Sequence, residues 1–484
     1  MPDWWKRAEN MQADTGVRTG FAEALKKRKA AGLIPVIPDI KCRSPKEGDL
    51  MRGRDPVEVA KELAEAGACA LSVVTEEKEF HGSLNILREI CAAVRVPVLR
   101  KDFVVSPEDL QETKAAGAAA VLLMYSCLGR EKLEVLYREA PKLGLEPFVE
   151  THTAEELRWA GALGAGLTGI NNRNILELER DDGDVRYAAG LLKEVPEGTV
   201  CVVESGLMNG RDVRTAVRHG ADAVLVGTAI LRDHRPQDMY SAMSRPCGLK
   251  ICGIMDREGV DLCLRNHVDM LGFVTEYPVE VPWNLKREEA DALLRHVREK
   301  MGSQDPALSG VKTCIVTGGD PGQVIRLALE LRPDTVQLHG KETVEETAVI
   351  ADALRREGIS VIRSVPAGPE GQERVRRYLE ETAVDALLLD SRDAGNAAAG
   401  GGSILDRLGS LELPETACAA KGKLLVFGGG VTAGNVQELL KRFRPDMIDV
   451  MTGVEDMPGK KNERKMRALA AAMASLTSQG KLTL

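Results

Sequence analysis

Short apolar runs rich in Val, Ile, Leu and Ala recur along the 484-residue chain, each followed by a longer stretch in which Ala, Glu, Lys and Arg keep helical spacing. That alternation marks βα units feeding a parallel sheet. Eight runs begin near Val36, Leu71, Val98, Ala120, Pro147, Thr168, Val202 and Val224. Eight more begin near Leu249, Met270, Thr313, Thr335, Val361, Ala386, Leu424 and Ile448. Helical stretches such as 56–68 and 107–116 open on Pro, whose missing N–H costs little at a helix start. Twice eight units predicts an α/β chain of two tandem (β/α)8 TIM barrels, each of roughly 250 residues. Two open eight-stranded sheets are the alternative. The division falls between Asp233 and Gly248, which gives domains 1–245 and 246–484. A helix over 21–31 is expected to cap the first barrel.

The ends of these runs carry the chemistry. In a parallel barrel, charged side chains at the C-terminal ends of strands lie on the reactive face. The run Pro97-Val98-Leu99 closes on Arg100-Lys101-Asp102-Phe103. Other ends in the first half supply Asp39, Lys41, Arg43, Ser44, Glu150, Asn171, Arg173, Glu204 and Ser205. A desolvated Lys, or one beside a second Lys, is expected to move toward neutrality, and a Glu beside a cation to stay ionised. For any one of these residues a surface ion pair is the simpler explanation; their joint placement is not so explained. The last two ends, Glu204-Ser205-Gly206 and Val226-Gly227-Thr228, combine Gly with hydroxyls where such barrels hold phosphate.

Composition narrows the partners. A net charge of −8 disfavours nucleic acid, so anionic substrates must be met by locally placed cations. No run approaches the roughly 20 apolar residues of a membrane span. Ten unevenly spaced Cys and no stretch of signal length at the start read as reduced thiols in the cytoplasm. Cys247 and Cys252 have no second Cys/His pair at finger spacing, so neither a metal nor an organic cofactor is expected. The expected partners are small anionic phosphorylated substrates, with no nucleic acid and no membrane, and the chain is expected to act as a monomer. The tract Ala394 to Gly402 follows a strand end and reads as a mobile active-site loop or a tolerated insertion.

Six motifs, among them Ile37-Pro38-Asp39-Ile40-Lys41-Cys42-Arg43-Ser44-Pro45, Arg100-Lys101-Asp102-Phe103, Pro147-Phe148-Val149-Glu150 and Gly169-Ile170-Asn171-Asn172-Arg173, make the first half resemble indole-3-glycerol phosphate synthase. That family closes, decarboxylates and dehydrates 1-(2-carboxyphenylamino)-1-deoxyribulose 5-phosphate. The resemblance implies Lys101 as general acid, Glu150 as its proton-transfer partner, and Glu204 and Asp39 in the supporting polar network. Lys41 and Arg173 would hold the substrate carboxylate, with Asn171 hydrogen-bonding nearby. Phe103 would line the site, and Ser44, Ser205, Gly206, Gly227 and Thr228 would meet phosphate. The family has Glu where this chain has Asp39 and Arg where it has Cys42; the shorter acid implies a backbone shift or a water.

The second half opens on Leu249-Lys250-Ile251-Cys252-Gly253, and its sixth run ends at Asp390. A thiolate facing a carboxylic acid suits an aldose-to-ketose rearrangement. A buried small hydrophobe is the plain reading of Cys252 alone. With Val336-Gln337-Leu338-His339-Gly340, Phe427-Gly428-Gly429-Gly430 and Asp449-Val450-Met451-Thr452-Gly453, this half resembles phosphoribosylanthranilate isomerase. The resemblance implies Cys252 as base, Asp390 as acid, His339 at the mouth, and phosphate at Gly429, Gly430, Thr452 and Gly453. The family's carboxylate-binding Arg is absent. Val281-Pro282-Trp283-Asn284 stands there, leaving Lys286, Arg287 or Arg363 to compensate. The sequence thus predicts two consecutive activities, or a synthase joined to a degenerate binding or scaffold barrel.

Overall fold

The computed structural model describes residues 20–172, 185–302, 305–367, 369–391, 404–405 and 414–475. Arg173 and the tract 394–402 lie outside the described residues.

The first barrel is a closed ring of eight parallel strands. They are β1 (Val36–Ile40), β2 (Leu71–Val74), β3 (Val98–Lys101), β4 (Ala120–Met124), β5 (Glu146–Thr151), β6 (Leu167–Asn171), β7 (Val200–Glu204) and β8 (Ala223–Val226). β1 closes the ring by pairing β8 through Val36 and Val224, and β2 through Asp39 and Ser72. A strand walled by barrel core on one face and helices on the other must be apolar on both. Every residue of β1, β2, β4, β6, β7 and β8 is accordingly buried.

The connecting helices carry their own start signals. Ser106 and Asp109 form a reciprocal capping box around Pro107, which satisfies orphan N–H groups of the helix Pro107–Ala115. The helix Phe21–Ala30 has no capping side chain of its own. Glu146 at the start of β5 accepts instead from the backbone N–H groups of Phe21 and Ala22. Phe21 and Leu25 then pack with Ile37, Leu99, Leu122, Phe148 and Val202 of the barrel interior. The expected cap is therefore a plug of the apolar core.

The second unit forms its own closed parallel ring. Its strands are β9 (Gly248–Ile251), β10 (Met270–Val274), β11 (Lys312–Thr317), β12 (Thr335–Leu338), β13 (Ser360–Pro366), β14 (Ala386–Asp390), β15 (Leu424–Gly428) and β16 (Met447–Val450). All sixteen begin within two residues of the positions that the apolar runs indicate. The two closed rings replace the open-sheet alternative.

Candidate active sites

In the first barrel Lys101, Asn171 and Glu204 are the last residues of β3, β6 and β7, and Glu150 is the penultimate residue of β5. Four strands thus deliver four polar side chains to one rim. Lys101 Nζ donates to Glu204 Oε2 at 2.9 Å and to Glu150 Oε2 at 3.1 Å. Asn171 Nδ2 donates to Glu150 Oε1 at 3.2 Å. Both carboxylates are buried, and a seventh of the Lys101 side chain is exposed. Gly169 on β6 makes this burial possible, because a Cβ there would collide with Glu204 Oε1.

Burial dominates the protonation of this cluster, and the charges then sort it. Burial would lower the Lys101 ammonium, but Glu150, Glu204 and Asp39 outweigh it and hold the pKa well above its usual value. The expected drift of Lys101 toward neutrality is therefore reversed, since three acids face it. Burial would raise Glu150, yet Lys101, His152 and Asn171 bring it below the ordinary carboxylate value. Burial pushes Glu204 up to about 7, reinforced by Glu150 and Asp39 against the pull of Lys101. Its Oε1 is buried without a hydrogen-bond partner among the described residues.

Asp39 is buried and accepts from Ser72 Oγ at 2.7 Å, so the shorter acid is seated by its neighbour on β2. Lys41 is buried just beyond β1, its ammonium 5.8 Å from the Phe80 ring centre. Cys42 is half-buried, and burial raises its thiol. Ser44 is buried on a two-residue ribbon that pairs Arg43 with Asp49. Phe103 is exposed, its backbone N–H held by Asp102. Arg100 turns away from the cluster to Asp102, Thr75 and Thr113.

At the phosphate-type rim, Ser205 and Gly206 both take positive φ, 66° and 71°. For Ser this conformation is strained, and Asn172 Nδ2 holds its carbonyl at 2.9 Å. Gly227 and Thr228 follow β8, with Thr228 buried.

In the second barrel a cleft at the rim is lined by Cys252, His339, Asp390, Gly429, Gly430, Thr452 and Gly453, all of them sequence candidates. Tyr277, Val281, Trp283, Gln337, Asp449 and Met451 complete much of its wall. Gly429 has φ of 90°, and a Cβ on it would stand 2.7 Å from Asp390 Oδ1, so only Gly brings this backbone against the acid.

Cys252 follows β9, and burial raises its thiol against the pull of Lys250 and Lys461. The resting group is a thiol, not the expected thiolate. Lys250, fully buried, donates to Asp449 Oδ2 at 2.7 Å. Lys461 donates to the Cys252 carbonyl and lies 2.6 Å from Glu455 Oε1. Burial lowers the His339 imidazole, whose Nε2 is 3.9 Å from Asp390 Oδ2.

Trp283 fills the wall and donates through Nε1 to both oxygens of Glu455, at 3.1 and 3.2 Å. None of the suggested substitutes for the missing Arg lines the cleft. Arg363 is committed to Glu342, Arg287 to Glu276 and Glu330, and Lys286 sits at a helix start. Among the described residues no Lys or Arg lines it, and no group of three or more His, Cys, Asp or Glu is arranged to hold a metal. Sequence reasoning missed Ser72, Gly169, Lys250, Asp449 and Lys461. Lys250 and Asp449 were detectable as charges inside apolar strands.

Two closed parallel barrels, each gathering ionisable groups beside glycine-bearing strand ends, have the arrangement of a tandem (β/α)8 enzyme. The family model for indole-3-glycerol phosphate synthase matches residues 6–242, and that for N-(5'-phosphoribosyl)anthranilate isomerase matches residues 249–472. The synthase of Pyrococcus furiosus is 41% identical over 220 residues, covering 46% of this chain and 94% of that protein. A multifunctional tryptophan biosynthesis protein of Phycomyces blakesleeanus is 29% identical over 493 residues, covering 92% of this chain and 63% of that protein. The isomerase structure from Thermus thermophilus is 30% identical, covers 48% of this chain and all of that one, and has a TM-score of 0.36. The chain belongs to the indole-3-glycerol phosphate synthase family in its first half and to the phosphoribosylanthranilate isomerase family in its second. It is a two-domain enzyme of tryptophan biosynthesis.

Proposed function

We propose that Lys101, Glu150 and Glu204 carry the proton transfers of the synthase reaction. Lys101, held charged, donates to the ketone oxygen as the ring carbon bonds to the ketone carbon. The carboxylate then leaves as CO2, its bonding pair staying with the ring system. Loss of water needs a second proton on that oxygen and removal of one from the carbon next to the amine, a task for ionised Glu150. Glu204, poised near neutrality, keeps the Lys101 ammonium in place and exchanges protons with it. The single observation behind this assignment is the Lys101 ammonium shared at 2.9 and 3.1 Å by two buried acids. Lys41 and Arg173 are assigned to the substrate carboxylate, Asn171 and Asp39 to alignment, Phe103 to the aromatic ring. Ser44, Ser205, Gly206, Gly227 and Thr228 are assigned to phosphate.

In the second barrel Cys252 takes the proton from the sugar carbon and Asp390 protonates the ring oxygen. His339 lines the mouth, and Gly429, Gly430, Thr452 and Gly453 hold phosphate. The placement of thiol and acid on one cleft favours turnover over a purely binding role. Because the thiol rests protonated, substrate must enter before it ionises, with Lys250 and Lys461 stabilising the thiolate. The domains are assigned as 1–245 and 246–484, acting in the cytoplasm as a monomer on small anionic phosphorylated substrates. Supplying each substrate separately to Lys101→Ala and Cys252→Ala chains tests the assignment: each change should silence one reaction only.

A further inference from the structure

Charge balance in the synthase reaction leaves a proton to be found. The ketone oxygen gains two protons on its way to water, and the carbon next to the amine gives up one. The substrate carboxylate departs as neutral CO2. Each turnover therefore draws one proton from solvent. Glu150 can return the proton it takes to Lys101 across 3.1 Å, and the second must enter from solvent, either at the exposed seventh of Lys101 or by way of buried Glu150.

A histidine stands beside that acid, between it and a partly exposed glutamate. His152, two residues beyond Glu150, points Nε2 to within 3.8 Å of Glu150 Oε1 and Nδ1 to within 3.9 Å of Glu156 Oε2. Both ring nitrogens are buried and have no hydrogen-bond partner among the described residues. Unsatisfied buried nitrogens carry a cost, and two on one ring call for an explanation. The residue's main chain is held on both sides: its backbone N–H donates to Glu156 Oε2 at 2.7 Å, and Tyr187 donates to its carbonyl. Glu156 reaches partial exposure at the start of the helix Ala154–Leu163. Neither separation is a hydrogen bond at rest, but each is closed by a small ring rotation or one bridging water.

We infer that His152 is a proton relay, passing protons from Glu156 at the barrel edge to buried Glu150 and so recharging Lys101 between turnovers. His152 does not touch the reacting atoms and acts through Glu150. The inference rests on Lys101 and Glu150 as the proton-handling pair.

The test compares the first turnover with the steady state in the full chain carrying His152→Ala. The resting cluster holds its protons, so the first turnover should keep the wild-type rate. Later turnovers should slow by roughly tenfold or more, and added imidazole should restore them while leaving wild type unaffected. Glu156→Gln, which retains an acceptor for the His152 N–H, should likewise keep its first turnover and slow the later ones, without rescue by imidazole, and it carries the test if His152→Ala does not fold. An unchanged steady state, or a first turnover slowed as much as the rest with no rescue by imidazole, overturns the relay. Failure of the underlying reading would show differently, as an intact first turnover in Lys101→Ala.

Discussion

Glu150 and Glu204 accept from the same Lys101 ammonium, at 3.1 and 2.9 Å, yet one is held ionised and the other is pushed up to about 7. The asymmetry follows from their remaining contacts. Glu150 also receives Asn171 Nδ2 at 3.2 Å, whereas Glu204 Oε1 has no partner among the described residues. Two acids on one cation thereby take separate tasks, a pattern that lets one site both give and accept protons near neutral pH.

This asymmetry predicts a pH-dependent stability. Glu204 has a higher pKa folded than unfolded, so the folded chain binds the extra proton between about pH 4.5 and 7. Its stabilising contribution is full below that window and is lost as pH rises through it. Glu204→Gln cannot titrate. Its stability relative to wild type should improve with rising pH, by on the order of 3 kcal/mol across the window. Denaturant unfolding of both chains at either end of the window checks this; a difference independent of pH contradicts it.

The thiol of the second barrel makes a separate prediction. Lys461→Met removes one of the two cations that oppose burial at Cys252. Its pH profile for alkylation, followed on the Cys252 peptide by mass spectrometry, should move to higher pH, while Lys461→Arg should keep the wild-type profile. An unshifted profile in Lys461→Met would remove Lys461 from the site's electrostatics.

Arg363 and Trp283 should behave oppositely. Arg363→Met leaves buried Glu342 without its cation and should cost about 3–5 kcal/mol of stability, with little change in isomerase KM. Trp283→Ala opens the cleft wall and should raise that KM several-fold with only a small loss of stability. Trp283→Phe should lie near wild type, because Glu455 keeps Lys461 and the Gly459 N–H. Thermal melts with isomerase kinetics separate the two; a KM effect in Arg363→Met alone would reverse their roles.

Strand positions were legible because a barrel strand is buried on both faces, so its apolar run stops where the rim begins, as at Leu99 before Arg100 and Lys101. Which rim charges meet was less so. Arg100 and Lys101 are neighbours in sequence, yet adjacent strand residues face opposite sides, and Arg100 leaves for Thr75 and Asp102. Arg287 and Arg363 looked available because a sequence displays a charge without its partner. The reversal at Lys101 depends on three acids arriving from β1, β5 and β7, which no local pattern reports. His152 gave no signal, since its interest lies in two ring nitrogens left without partners among the described residues.

The most direct check of two independent chemistries on one chain is to assay both reactions in Lys101→Ala and Cys252→Ala side by side. Lys101→Ala should lose roughly 10²–10⁴-fold of synthase turnover with isomerase turnover unchanged, and Cys252→Ala should show the reverse. Near-normal synthase turnover without Lys101, or both activities falling together in either variant, would contradict the account.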